Sequence, residues 1–369
     1  MSGRLTGPVS ARLPAFPWDL LAVHARRAGA HPGGIVDLSI GTPVDATPTL
    51  LQEGLAAATN APGYPATAGT ERLRAAAVDW FGRRFGVVGL DAGSVLPTIG
   101  SKELIASLPM LLGLGPDDTV VVPSLAYPTY DVGARLVGAQ VVASDSTVAL
   151  GPSRPSLLWL NSPSNPTGRV LPVEHLRKVV AWARERGVLV VSDECYLEYA
   201  WEAEPMSVLH PDVCDGSHQG LLSVHSLSKR SNLAGYRCGL VAGDPAVLAE
   251  LLAVRKNLGL MVPRPMQDVM AVALGDDAHV AAQRERYATR RTVLRDSLLA
   301  AGFRIDHSQA SLYLWATRDE PCWDTVAWLA SRGVLVAPGD FYGRAGARHV
   351  RLAFTATDER VDAFAHRLG

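Results

Sequence analysis

The sequence predicts an α/β fold, a mostly parallel, doubly wound sheet of about seven strands in a large domain, joined to a smaller α+β domain. Three observations predict it. Seven short, β-branched, continuously apolar runs recur through the middle of the 369-residue chain: SVLPTIG, TVVVPS, AQVVAS, SLLWLN, VLVVSD, LLSVHS and RCGLVAG. That is how strands covered on both faces read. Several are separated by helical patterns, as parallel strands require. Polar motifs follow five of them (GSKE, PSLAYP, NSPSNPTG, DECY and SLSK), and in such sheets ligands collect at the strand C-terminal ends.

Residues 1–45 read as an N-terminal arm that belongs with the small domain. They are irregular and proline-containing around one helical candidate, WDLLAVHARRAG, and then a short strand, IVDLSIGTP, ends in a Gly-Thr-Pro turn. Residues 46–275 read as the large domain. It opens with a helix, PTLLQEGLAAAT, a loop, GYPATAGT, and an amphipathic helix, ERLRAAAVDWFGRRFG, before the strand rhythm begins. HLRKVVAWARERG is a helix with a solvated basic face, and Lys256 follows Arg255 in another. Pro263-Arg264-Pro265 breaks the pattern. A long helix should then run from an N-cap at Asp276 or Asp277 to a stop at Gly302. Residues 276–369 read as the small domain, with strands FRIDHS, SLYLWAT, VLVAPG and HVRLAFTA and the helix WDTVAWLASRG.

An apolar fraction of 48% with scattered Gly and Pro describes a soluble globular chain long enough for two cores. A net charge of −1 and a pI near 6.8 argue against nucleic acid or an anionic membrane as partner. No apolar segment reaches bilayer length, and the first thirty residues lack the unbroken apolar core of a signal peptide, so a cytoplasmic location is expected. Cys195, Cys214, Cys238 and Cys322 form no CxxC or Cys/His cluster, and neither a metal nor a disulfide framework is suggested. No GxGxxG turn follows the first strand, which argues against a nicotinamide cofactor.

The stretch Ser226–Gly239, SLSKRSNLAGYRCG, carries the most chemistry. Lys229 leaves an apolar strand into a turn rich in Ser, Asn and Gly, where an amine can be desolvated without being lost in the core. A desolvated amine titrates low and attacks carbonyls, and its commonest biological use is a Schiff base with pyridoxal phosphate (PLP). Ser226, Ser228 and Arg237 supply two hydroxyls and a guanidinium fork, the donors a phosphate dianion wants. The chain has four lysines, Lys102, Lys178, Lys229 and Lys256, and Lys178 and Lys256 have no phosphate donors beside them. Lys102 is the rival, at a helix start but without its own strand-end carboxylate.

Other strand ends carry candidates that each have a plainer reading. Asp193, ending VLVVSD, can pair with a pyridinium nitrogen and keep it protonated, although an Asp there is more often a helix cap. Tyr196 can donate its phenol to a cofactor ring oxygen or be a half-buried aromatic. Asn165, in the rigid NSPSNPTG turn, can aim its amide at a cofactor oxygen or be a simple Asn-Pro turn. Gly100, Ser101 and Lys102 open a helix whose N–H groups and dipole suit phosphate, the dipole alone supplying about 0.3–1 kcal/mol per charge. Tyr127 can stack on a flat cofactor or merely pack. Arg351 alternates away from Val350, Leu352 and Phe354, so it either clamps a substrate carboxylate or forms an edge ion pair. Tyr64 lies in a loop that pattern alone does not place.

Taken in order (NPTG, D-x-x-Y, S-x-S-K with an arginine eight residues after the lysine, and an arginine on a late strand), these residues resemble the class I/II (fold-type I) PLP-dependent aminotransferases over nearly the whole chain. The resemblance implies the fold-type I architecture, PLP as cofactor, amino-acid and 2-oxo-acid substrates, and a homodimer with shared sites. It implies Lys229 as the Schiff-base lysine and proton shuttle, Asp193 as the pyridinium partner, Asn165 and Tyr196 as partners of the ring hydroxyl, and Tyr127 as the stacking aromatic. Gly100, Ser101, Lys102, Ser226 and Arg237 match the phosphate cup, and Tyr64 the tyrosine lent to the neighbouring subunit's phosphate. Arg351 matches the α-carboxylate clamp and Gly41 the small residue near the substrate entrance.

More narrowly, LPAFPWDLL and AHPGGIVDLSIGTPVD resemble actinobacterial N-succinyldiaminopimelate aminotransferases of lysine biosynthesis. Arg264 and His31 are candidates for a succinyl group by charge and position, while the serine such proteins usually have near Pro263 and Arg264 is missing. A PLP-dependent C–S β-lyase would use the same constellation. A non-catalytic PLP sensor of a transcription regulator would need a DNA-binding module, for which the arm before Gly34 is too short.

Overall fold

The seven apolar runs form one sheet, and helices cover both of its faces. The computed structural model describes residues 9–368. The first strand, β1 (Val36–Asp37), belongs to the arm. The large sheet follows as β2 (Val95–Ile99), β3 (Thr119–Val122), β4 (Gln140–Ala143), β5 (Leu157–Asn161), β6 (Leu189–Asp193), β7 (Leu221–Ser226) and β8 (Cys238–Gly243). Their spatial order is β2-β8-β7-β6-β5-β3-β4. Along β5, Leu158 and Leu160 enter one core with Val190 and the helices Glu71–Phe85 and Val173–Arg186. Leu157 and Trp159 enter the opposite core with Val191 and the helices Ser101–Leu111 and Thr129–Val137. Both faces are buried, so no polar position interrupts the run. Strand β4 departs from this: it is hydrogen-bonded on one side alone, to β3, and Val142 is 38% exposed.

A smaller sheet is built from β9 (Arg304–Ile305), β10 (Tyr313–Thr317), β12 (Ala337–Pro338) and β13 (Val350–Ala353), in the order β12-β13-β10-β9, while β11 (Val334–Leu335) pairs in parallel with β1. VLVAPG is therefore two strands where one was expected, because the chain changes partner at Val336, from β1 to β13. Leu314, Leu352 and Phe354 pack with Tyr287, Leu294 and Leu298 and with Leu21, Ala28 and Val36 of the arm in a third core.

The long helix spans Ala278–Ala300 and stops at Gly302 (φ +80°). Asp277 holds the N-cap position without capping it. Arg83 draws its carboxylate away at 3.0 Å, and Asp276 Oδ1 instead accepts from His279 N at 3.0 Å. Arg255 also departs from the solvated face expected of its helix. It is fully buried and forks onto Glu103 at 2.9 and 3.1 Å, and Glu103 in turn accepts from Ile99 N. The ion pair ties the helix Pro245–Leu258 to the helix that starts at Ser101, and the bond from Ile99 N adds the last residue of β2.

Candidate active site

Every strand of the large sheet runs in one direction except β8, which is antiparallel to both β2 and β7. Its first residues therefore lie at the edge where the other strands end, with Ile99 opposite Cys238 and Ser226 opposite Gly239. A cavity of about 570 Å³ opens at this edge, lined by Lys229, Asp193, Tyr196, Asn165, Tyr127, Ser101, Lys102, Ser226, Ser228, Arg237, Arg351 and Gly41. Small-molecule sites commonly occupy roughly 300–1,000 Å³. Most of the expected residues thus converge from both sheets and from the arm, which also contributes Phe16, Trp18 and Ile40.

Lys229 lies in the one-turn helix Leu227–Arg230, whose start is capped by Ser226 Oγ accepting from Ser228 N at 3.2 Å. Its Nζ donates to the carbonyl of Gly41, and Tyr199 Oη donates to the Lys229 carbonyl at 2.8 Å, so both ends of the residue are held. Asp193 is buried at the end of β6. Tyr130 Oη donates to its Oδ2 at 2.8 Å and Cys195 N to its Oδ1 at 3.3 Å. Burial pushes its carboxyl up from the ordinary carboxylate range, and the bonds from Cys195 and Tyr130 pull back against that rise. A buried carboxylate in this state calls for a cation beside it.

Arg351, 2% exposed, donates from Nη1 to Asn165 Oδ1 at 2.7 Å and from Nη2 to the Ser39 carbonyl at 2.6 Å. Its guanidinium lies 4.1 Å from the Tyr313 ring centroid and 5.0 Å from that of Tyr342. Burial draws its pKa down, but the hydroxyls of Tyr342, Tyr313 and Tyr196 more than offset this, so the charge is secure. Its Nε is buried without a hydrogen-bond partner among the described residues, a donor available to a bound carboxylate. Tyr196 Oη and Tyr313 Oη share a hydrogen bond of 2.8 Å. Burial pushes the Tyr127 phenol up to about 12 and holds Tyr196 well above the ordinary tyrosine range, so both stay neutral donors at physiological pH.

Some expected residues stand apart. Lys102 reaches the rim, but its Nζ lies 5.6 Å over the Phe16 ring. Tyr64 is 99% exposed and does not line this chain's cavity. Arg264 is paired with Asp268 at 2.9 Å, and His31 Nδ1 accepts from Gly33 N at 3.1 Å; neither lines the cavity. Sequence reasoning misses two tyrosines. Tyr130 follows Tyr127 by three residues in AYPTY, and that one-turn spacing in a helix start is the available signal. Tyr313 sits in SLYLWAT, where nothing local distinguishes it from a core aromatic.

The elements expected to take the phosphate form a cradle that depends on glycine. A Cβ on Gly100 would stand 2.3 Å from Arg237 Nη2, and one on Gly239 would stand 2.9 Å from Ser101 N. With glycine at both positions the N-terminus of the helix Ser101–Leu111 closes onto the guanidinium. No carboxylate among the described residues pairs with Arg237, whose Nη1 donates to the Ala234 carbonyl at 2.7 Å. A phosphate at the helix start, a protonated ring nitrogen at Asp193 and an aldehyde at Lys229 match the donors, acceptor and amine present.

Residues 34–368 match the family described as aminotransferase class I and II. The chain belongs to that family. Class I and II aminotransferases depend on PLP, and this chain is a PLP-dependent aminotransferase of the fold-type I architecture. It is 67% identical over 362 residues to a probable aminotransferase, Rv1178, of Mycobacterium tuberculosis, covering 98% of this chain and 87% of that one. It is 60% identical to the 4-dedimethylamino-4-oxo-anhydrotetracycline transaminase OxyQ of Streptomyces rimosus, covering 96% of this chain and 99% of that protein. A probable N-succinyldiaminopimelate aminotransferase from Thermus thermophilus superposes with a TM-score of 0.85 at 28% identity, covering 96% of this chain and 99% of that one.

Proposed function

We propose that this aminotransferase moves an amino group between an α-amino acid and 2-oxoglutarate, with N-succinyl-LL-diaminopimelate of the lysine (diaminopimelate) pathway as the amino-group partner. The observation that carries the aminotransfer reading is one cavity holding the Lys229 amine, a buried Asp193 carboxylate and the Arg351 fork with a free Nε. When bound, PLP supplies an electron sink for the pair released at the substrate Cα. The chain's residues do the rest. Arg351 and Asn165 hold the α-carboxylate and fix the Cα–H direction; Asp193, kept acceptor-side by Tyr130 and Cys195, keeps a ring nitrogen protonated. Lys229 Nζ holds and moves the proton at Cα. Gly100, Ser101, Ser226, Ser228 and Arg237 anchor the phosphate, Tyr127 covers the ring, and Tyr196 with Asn165 steadies the ring hydroxyl.

The two domains divide this work: residues 46–275 carry the cofactor contacts, while residues 1–45 with 276–369 contribute Gly41, Tyr313 and Arg351. A second copy would bring Tyr64 to the phosphate, since its own chain leaves it solvent-exposed. The succinylated substrate is supported by the Thermus thermophilus likeness and by a cavity extending to the apolar Phe16, Trp18 and Ile40, which a long methylene chain would cover. Those same aromatic walls, with the likeness to OxyQ, favour a second reading in which the amino acceptor is a polycyclic ketone.

An amino-donor panel including N-succinyl-LL-diaminopimelate, assayed against 2-oxoglutarate, separates the readings. The succinylated donor should give the highest kcat/KM, and turnover confined to other donors would refute the substrate assignment. Borohydride should fix PLP to the peptide containing Lys229 and to no peptide of Lys229→Ala; label on Lys102 would refute the lysine assignment.

A further inference from the structure

Behind the Asn165 loop lies a second cavity, of about 140 Å³, separate from the one containing Lys229. Its floor is apolar, with Leu158 and Leu160 of β5, and its rim carries Arg169, His175, His307 and Asp145. No side-chain hydrogen bond or ion pair within 4 Å engages Arg169 or His307 among the described residues, and His175 is likewise free. Arg169 and His307 stand exposed at the rim and His175 is half-buried, so three donors share one concavity with no side-chain hydrogen bond among the described residues.

The cavity lies between the large sheet and the loop that leads into the small sheet. Arg169 and His175 come from the large-sheet side, while His307 comes from the loop leading into β10. That loop is fastened to its neighbour: Ser308 N donates to the Thr167 carbonyl at 2.8 Å and Ala310 N to the Gly168 carbonyl at 2.9 Å. A Cβ on Gly168 would stand 2.5 Å from the Ala310 carbonyl oxygen. His307 and Ser308 are both left-handed, at φ 56° and 57°, a costly conformation for residues with side chains that tends to persist at functional positions. Ligand sites favour such junctions, where an apolar floor meets a few convergent polar groups.

We propose that this cavity is a second ligand site taking a small zwitterionic amino acid, its carboxylate on Arg169, His175 and His307 and its ammonium toward Asp145. The charges select that class. A simple dianion would meet Asp145, whose Oδ1 already accepts from Ser124 N at 3.1 Å, and a simple cation would meet Arg169. An occupant would brace the loop that aims Asn165, because Asn161, on the cavity wall, accepts from Asn165 N through Oδ1 at 2.7 Å and donates to the Asp193 carbonyl at 2.9 Å. Burial and then Arg169 hold both imidazoles below their ordinary range. Lys178 adds to this at His175 and His349 at His307, while Asp145 and Asp306 oppose it. A carboxylate there raises both, so binding takes up protons and tightens as pH falls.

The probe is 2-aminoisobutyrate, which lacks a Cα–H and is not transaminated, titrated into holoenzyme labelled at its histidine rings for NMR. The His175 and His307 ring signals should shift and saturate in the wild type and in Arg351→Ala. Half-saturation should rise roughly tenfold or more in Arg169→Ala and in the bulk-preserving Arg169→Gln, while their kcat without probe stays that of the wild type. Loss of the shifts in Arg351→Ala would mean the probe binds in the lysine cavity alone and would overturn the proposal. So would unmoved rings, or a half-saturation indifferent to both Arg169 variants. None of these readouts depends on which amino donor the enzyme uses.

Discussion

Gly100→Ala tests the phosphate cradle with two separable effects. Gly100 sits at φ 76°, ψ 157°, a region almost reserved to glycine, so alanine costs about 1–3 kcal/mol of stability. Its methyl carbon would also stand 2.3 Å from Nη2 and 2.9 Å from Cζ of Arg237, and the guanidinium must swing aside. A guanidinium–phosphate hydrogen bond contributes about 1.5–3 kcal/mol, which converts to a rise of about 10- to 150-fold in the PLP dissociation constant. Backbone strain burdens apoprotein and holoenzyme alike, so it lowers Tm but cancels from the affinity, and displacement of Arg237 alone weakens PLP. Gly113→Ala is the control. Gly113 follows the same helix at φ 72° with no atom within 4 Å of a built Cβ, so it should lose about 1 kcal/mol and bind PLP as the wild type does. Thermal melts of apoprotein and absorbance titrations with PLP read the two effects. If Gly100→Ala melts early yet binds PLP within about twofold of wild type, Arg237 does not hold the phosphate.

Two further perturbations probe the other anchors. Burial raises the folded-state pKa of Asp193, so the native apoprotein is stabilised by protonation at low pH and loses that stability as pH rises through the raised value. A neutral amide at this position would not carry the penalty: Asp193→Asn apoprotein should melt above wild-type apoprotein at neutral pH, the gap should close in acid, and its holoenzyme should lose most activity. A variant less stable at neutral pH would refute the burial argument. Arg351→Lys keeps the charge but loses the fork shared with Asn165 and Ser39, so KM should rise about tenfold or more for both the amino acid and the 2-oxo acid. A rise for one substrate alone would count against carboxylate binding there.

What the sequence made legible was what short-range pattern encodes. The large-sheet runs are readable because burial on both faces leaves no polar position in them, and Lys229, Asp193 and Asn165 are readable because each follows or ends such a run. The reversed direction of β8 is not readable, since an apolar strand looks alike either way. Yet that reversal brings Arg237 to the edge where the cavity opens. Tyr313 was invisible because its role depends on a contact with Tyr196, 117 residues earlier. The same holds for Arg255: its partner Glu103 lies 152 residues away, and helical periodicity alone places it on a wet face. Asp277 failed as a cap for a related reason, since propensity does not register a competing arginine from another helix.

Pairing of Ser226 with Gly239 has a mechanical consequence. Lys229 and Arg237 ride on one short loop pinched shut at both ends, like the fixed jaw of a caliper, whereas Gly41, Tyr313 and Arg351 ride on the other jaw. Any shift of one jaw against the other would alter the grip on whatever lies between them, but would leave the span from the Lys229 amine to the Arg237 guanidinium unchanged. Substrate preference can therefore drift on one side of the molecule while the reactive gauge on the other keeps its setting.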